Sequence, residues 1–199
     1  MKKVKFFMLV SVISISQACN DNTKDSVAAA KDSNASMDNP AMATGKDTTV
    51  HAAVVPVSKD DADFAVEAAN GGMMEVQLGN YAQQNALSPR VKEFGAMMTR
   101  DHTKANDELK GIAASKSITL PAESGDKAKK EMEDLMKKKG KDFDKAYMNM
   151  MLDDHKKDVK EFEKAANDCK DPEIKSFAGK TLPVLRVHLD SAKAISGKN

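Results

Sequence analysis

The chain has no tryptophan, two tyrosines, seven phenylalanines and two cysteines among its 199 residues. Such low aromatic content, with no segment of sustained period-two alternation, argues against a β-sheet protein. The cysteine count is equally restrictive. If Cys19 carries lipid, Cys169 is the remaining thiol and no internal disulfide can form. The fold must then hold by packing alone. Cys169 lies in Asn167-Asp168-Cys169-Lys170-Asp171-Pro172, a predicted helix end with no second cysteine for a redox pair, and reads as a structural or incidental thiol. Also missing are a Gly-rich phosphate loop, a nucleophile elbow and a Cys-x-x-Cys motif, so no catalytic residues are assigned and an enzymatic role is not expected. Neither sign of charge dominates, the formal net charge being +1. Lysines and acids are intermixed, as from Lys127 to Lys141, which makes a solvated face and speaks against a nucleic-acid partner.

What is present begins with an address. Lys2, Lys3 and Lys5 form a positive n-region, and the apolar run Phe6 to Ile15 is too short for a membrane anchor but suits a signal-peptide h-region. Ser16-Gln17-Ala18-Cys19 resembles a bacterial lipobox, with Ser16 in place of the usual leucine. The expectation is a signal peptide over 1–18, lipidation of Cys19, and attachment to the outer membrane on its periplasmic or surface face. From 19 to 58 the composition turns to Asp, Asn, Ser, Thr, Lys and Ala, too little apolar surface to offset ordering entropy. This stretch reads as a disordered tether reaching roughly 35 Å from the membrane. His51 lies within it and is given no role.

Residues 59–199 form one domain-sized unit, and its pattern is all-α. Breaks at Ser88-Pro89, Leu120-Pro121 with Ser124-Gly125, Gly140 and Asp171-Pro172 separate segments with helical spacing. The first segment, from about Asp60 to Ala86, carries the stripe Phe64, Ala68, Gly71, Glu75, Leu78, Ala82, with Asp60 or Asp61 as its cap. Gly71-Gly72 in its middle predicts close approach of another helix or a large side chain. The second segment carries Val91, Phe94, Met98, His102, Ala105, Leu109 and Ile112. A third begins after Ser124, bends or breaks at Gly140, and continues through Phe143, Tyr147, Met151, His155, Val159, Phe162 and Ala166. The fourth follows Pro172 with Ile174, Phe177, Ala178, Leu182, Leu185, His188, Leu189 and Ala192, and Pro183 is expected to kink it. Four long amphipathic segments joined by short breaks predict an antiparallel four-helix bundle.

One phrase occurs twice. Met97-Met98-Thr99-Arg100-Asp101-His102 returns as Met150-Met151-Leu152-Asp153-Asp154-His155, each preceded three residues earlier by an aromatic, Phe94 or Tyr147. Glu75, His102, His155 and His188 thus interrupt apolar stripes on four different helices, with Asp101 and Asp154 beside two of the histidines. Imidazole and carboxylate together suit iron, zinc, copper or manganese. The competing reading is a buried polar network in which each histidine donates to a carboxylate and fixes which helices adjoin. The thirteen methionines admit Cu(I) ligation, but methionine is also an adaptable core filler. Glu-x-x-His pairs of the ferritin di-iron kind are missing: Thr99, Leu152 and Leu185 stand three residues before the histidines.

Asp63-Phe64, Gly71-Gly72-Met73-Met74-Glu75-Val76-Gln77-Leu78-Gly79, Val91-Lys92-Glu93-Phe94, Met97 to His102, Phe143-Asp144-Lys145-Ala146-Tyr147, Asp153-Asp154-His155, Thr181-Leu182-Pro183 and His188-Leu189 closely resemble the bacterial domain-of-unknown-function 4142 family. The resemblance implies a ferritin-like fold and an envelope location, and no established activity. The expected role is a binding or structural module of the cell envelope, stress-related and with an envelope protein as partner. The alternative is a metal-binding protein with a transition-metal ion held by Glu75, Asp101, His102, Asp154, His155 and His188.

Overall fold

A computed structural model describes residues 24–35 and 57–197. The expected signal peptide, Cys19 and His51 lie outside them. Among the described residues there are six helices and no strand: α1 (Ser26–Ala35), α2 (Lys59–Asn85), α3 (Pro89–Ser115), α4 (Asp126–Met136), α5 (Gly140–Asp168) and α6 (Pro172–Ser196). None is long and apolar enough to cross a membrane.

The breaks act as their chemistry predicts. Ser88-Pro89 opens α3, with proline at a position whose N–H has no intrahelical partner. Asp171 caps α6, accepting from the N–H groups of Glu173 and Ile174. Gly140, at φ +56°, takes the left-handed turn that separates α4 from α5. At the start of α2 the cap is Ser58 rather than an aspartate; its hydroxyl accepts from the Asp61 N–H. Asp61 is turned inward and accepts from the N–H groups of Lys170 and Asp171, tying α2 to the α5–α6 turn. Helix α6 runs unbroken through Pro183, which lies on its exposed side.

Helices α2 and α3 pack along their length, as do α5 and α6, and α3–α6 and α2–α5 contacts complete the arrangement. The core has two apolar clusters. One gathers Leu78, Phe94, Met98, Phe143, Tyr147 and Met151; the other gathers Ala65, Leu109, Phe162, Ile174, Phe177 and Leu185. Helices α3 and α5 run from the first cluster to the second, and α2 and α6 run back. Each packed pair therefore has opposite chain direction. The connection from α3 to α5 is not a short break but a crossover, 116–139, that returns along the molecule and carries α4 against α2 and α5.

The two copies of the repeated phrase face each other across the molecule. Phe94 and Tyr147 meet edge to face at 6.1 Å, and Met98 and Met151 are both fully buried. Those methionines, with Met74 and Met148, sit in the first apolar cluster, where they serve as filler.

Two other features depart from expectation. The buried stripe of α2 is rotated relative to the predicted one: Ala62, Ala65, Val66, Ala69, Gly72, Glu75, Leu78 and Ala82 are buried, whereas Phe64, Ala68 and Gly71 are half-exposed. And residues 26–35, assigned to a disordered tether, are helical and docked. Hydrophobicity does not hold α1. The Asn34 side chain, 2% exposed, pairs both ways with the backbone of Thr119, at 2.9 and 2.8 Å. Asp25 accepts from the N–H groups of Ala28 and Asp126, the latter holding its carboxyl below the usual range. Lys31 pairs with Glu67 at 2.6 Å. A composition argument counts apolar area and is blind to docking by polar bonds.

Helices α2 and α3 approach closely where Gly79 faces Gly95. A Cβ on Gly95 would lie 2.7 Å from the Gly79 carbonyl oxygen and 3.0 Å from the Ala82 Cβ. The obstacles are backbone and a short rigid side chain, so Gly95→Ala is expected to destabilise by about 1–3 kcal/mol in urea unfolding. Gly111, on the same helix with nothing within 4 Å of its Cβ position, is the control. There alanine is expected to stabilise by about 0.5–1 kcal/mol.

A candidate metal centre in the polar layer

Between the two apolar clusters lies a polar layer to which each long helix contributes one member. Each member is the residue at which the helical stripe passes from one cluster to the other. Glu75 is 2% exposed, His102 6%, His155 0% and His188 1%. His102 and His155 rings stand 5.6 Å apart, and the His188 ring is 5.2 Å from each.

Every one of these imidazoles is oriented by a bond from one of its ring nitrogens. His155 Nδ1 lies 2.9 Å from the Met151 carbonyl, one turn back on its own helix, and must donate to it. His188 Nε2 lies 2.9 Å from Asp101 Oδ2. Arg100 holds Asp101 below the usual carboxylate range, so that oxygen is an ionised acceptor and His188 Nε2 carries the proton. His102 Nδ1 lies 2.8 Å from Glu75 Oε2 and donates there. Burial pushes the Glu75 carboxyl up, and the imidazoles around it, His102 foremost, outweigh that and hold it low.

With those protons placed, the remaining ring nitrogens are bare. His155 Nε2 and His188 Nδ1 face each other at 3.2 Å. Burial keeps both rings neutral, the His188 pKa being lowered to about 4 and that of His155 also falling. Glu75 Oε1, 3.4 Å from His155 Nε2, has no hydrogen-bond partner, and neither has His102 Nε2. The three histidines each offer a ring nitrogen, all within 4.8 Å of one another. Buried lone pairs that converge without a proton between them repel; a cation removes the repulsion. An imidazole whose second nitrogen donates to a carbonyl or carboxylate is also the usual arrangement around a bound metal.

The flanking aspartates divide. Asp101 is the outer partner of His188 and does not face the convergence point. Asp154 is half-buried, with its Oδ2 enclosed and unpartnered. Burial, then Glu75, push its pKa up to about 7. It lines a cleft of about 260 Å³ that reaches Glu75 and His102 between α2, α4 and α5. Gly71 and Gly72 form part of the wall; Asn106 occupies the space where a Gly72 Cβ would stand, which is the close approach predicted there. Sequence reasoning missed Asp158, which lines the same cleft three residues after His155. It also offers a carboxylate oxygen within 4.8 Å of ligand atoms of Glu75 and His155. Cys169 is buried at the end of α5, and burial with nearby Asp61 pushes its thiol up to about 12, as befits an inert group.

A family model, domain of unknown function (DUF4142), matches residues 46–195, more than half of the chain. The chain belongs to this family. The DUF4142 chain matches no curated protein. Among solved structures it is similar to a crystal structure of a DUF305 fragment from Deinococcus radiodurans. The TM-score is 0.63 and the identity 12%, over 72% of this chain and 99% of that one. At that identity the likeness speaks for the helical fold of the DUF4142 domain and not for its chemistry.

Proposed function

We propose that this DUF4142 domain is a metal-binding protein whose ion sits between His102, His155, His188 and Glu75. The observation that carries the reading is the set of bare, buried ring nitrogens, each held in place by a bond from the opposite nitrogen. A polar network serving architecture alone is the rival, and it leaves those lone pairs and Glu75 Oε1 without protons. A ligand set of three imidazoles and one carboxylate favours zinc, iron(II), copper(II) or nickel over magnesium or calcium. Bound there, such an ion supplies a Lewis acid, or a redox centre if it is iron or copper. The protein's part is to fix the ligands and to leave a path to solvent through the cleft.

The framework is an antiparallel four-helix bundle of ferritin-like type, supported by the chain directions and by the long crossover between α3 and α5. The chain is an envelope lipoprotein anchored in the outer membrane through Cys19, supported by the n-region, the short apolar run and the lipobox-like Ser16 to Cys19.

The test is metal content of the full chain purified in detergent without affinity tag or chelator, beside His102→Ala/His155→Ala. About one equivalent of a single transition metal, lost in the variant, is expected. A wild type that is empty and takes up neither zinc, iron(II) nor copper would leave the polar layer as architecture.

A further inference from the structure

We propose that the cleft beside Glu75 holds a second divalent cation, bound by carboxylate oxygens of Asp154, Asp158 and Glu75 next to the imidazole-held ion. This rests on the metal-binding reading of the polar layer and extends it. Two ligand triads overlap at His155: one with His102 and His188, the other with Glu75 and Asp158. His155 has one lone pair to give, because its Nδ1 is committed to the Met151 carbonyl. With Nε2 on the imidazole-held ion, the second position is left to oxygen atoms.

Those oxygens are at hand and unspent. Glu75 is 2% exposed, lines the cleft, and has an Oε1 with no hydrogen-bond partner. Its Oε2 accepts from His102 Nδ1, and its Oε1 lies 3.4 Å from His155 Nε2, so Oε1 is the oxygen that stands beside both positions. Asp154 and Asp158 are one helical turn apart on α5 and share its cleft-facing side. Asp154 Oδ2 is enclosed and unpartnered. The cleft's lysines are turned elsewhere: Lys157 pairs with Glu161 at 3.6 Å and Lys127 with Glu131 at 3.8 Å. Among the described residues no basic side chain pairs with Asp154 or Asp158. A volume of about 260 Å³ leaves room for several water ligands at about 30 Å³ each. An all-oxygen set completed by water suits hard cations such as Mn(II), Mg(II) or Ca(II), whereas Mn(II) and Fe(II) fit both positions.

Mn(II) is the probe, added to the full chain in equilibrium dialysis, with electron paramagnetic resonance of the same samples. Wild type is expected to take up two equivalents and to show a spin-coupled pair. Asp154→Asn/Asp158→Asn, which keeps side-chain shape, is expected to retain one equivalent with the spectrum of an isolated ion. His102→Ala/His188→Ala is expected to keep the other. Should the double aspartate variant fail to fold by circular dichroism, Asp158→Asn alone is expected to weaken the second binding step at least tenfold. A wild type that binds one equivalent, unchanged in the aspartate variants, overturns the second site and leaves the imidazole site standing. An aspartate variant that folds and binds none also overturns it, since the aspartates would then hold the sole ion. Uptake of neither Mn(II) nor zinc by wild type removes both readings.

Discussion

Saturation with zinc is expected to raise the free energy of unfolding by about 4 kcal/mol when free ion exceeds its dissociation constant a thousandfold, and the gain is expected to vanish in His155→Ala. Stabilisation of this size requires that the ion bind the folded chain and not the unfolded one. The donors meet that condition because they come from four helices and converge only when those helices pack. His155 is the member to remove. It is fully buried, belongs to both ligand triads, and its free nitrogen faces both Glu75 and His188. Urea unfolding of wild type and variant, with and without zinc, gives the measurement. An equal zinc shift in the variant would place the ion on surface carboxylates and count against the polar layer as its site.

Removing a negative charge from the cleft is expected to stabilise the metal-free protein, and only on the alkaline side. The Asp154 pKa is pushed up to about 7 from an ordinary 3.8, first by burial and then by Glu75, with Glu131 and Asp153 adding to it and Lys157 opposing. Between those values the folded chain holds a proton that the unfolded chain has lost. Stability therefore falls as pH rises from about 4 through 7. Asp158 is shifted in the same direction for the same first cause. His188 works in the opposite direction over much of the same range. Its pKa, lowered from 6.5 to about 4, means that the unfolded chain binds the extra proton, so stability is lost as pH falls through that window. Between about 4 and 6.5 the two slopes oppose and largely cancel, and above that window the aspartate acts alone, so stability falls from there toward pH 8. Since Asp154 is partly in contact with solvent, the full linkage value is reduced, and Asp154→Asn is expected to gain about 2 kcal/mol over wild type at pH 8 and almost nothing at pH 4. Urea unfolding in the presence of chelator at pH 4, 6 and 8 measures it. A gain that is the same at all three values would trace to packing instead of charge.

Much of this molecule is legible in the sequence, for reasons that differ from element to element. Helices α3, α5 and α6 announce themselves because Phe94, Met98, Phe143, Met151, Phe177 and Leu185 are large, apolar and at helical spacing. Their histidines lie on the same stripes, so convergence of His102, His155 and His188 could be expected. Helix α2 is misaligned by a fraction of a turn because its buried face is mostly Ala and Gly, and residues that small carry little periodic signal. Asp158 carries a weaker signal: a Glu-x-x-His pair places its acid three residues before a histidine, whereas this acid stands three after His155. Which ring nitrogens are bare is not written in sequence at all. It follows from the positions of the Met151 carbonyl, Asp101 and Glu75, and those depend on tertiary packing. The same holds for α1, whose partners Thr119 and Asp126 are about a hundred residues away in the chain and attach to it by hydrogen bonds.

The docking of α1 changes what the N-terminal region does mechanically. With lipid on Cys19, the leash between bilayer and folded body is the six-residue step from Cys19 to Asp25, at most about 20 Å when fully extended. It leads to the flank of α2 and α4. On that reading the height above the membrane is set by the residues before Asp25 and not by 36–56, which connect α1 to α2 in the chain. Lengthening that connection costs little, about 0.6 kcal/mol per doubling, and leaves the standoff distance untouched. Adding residues between Cys19 and Asp25 changes it directly.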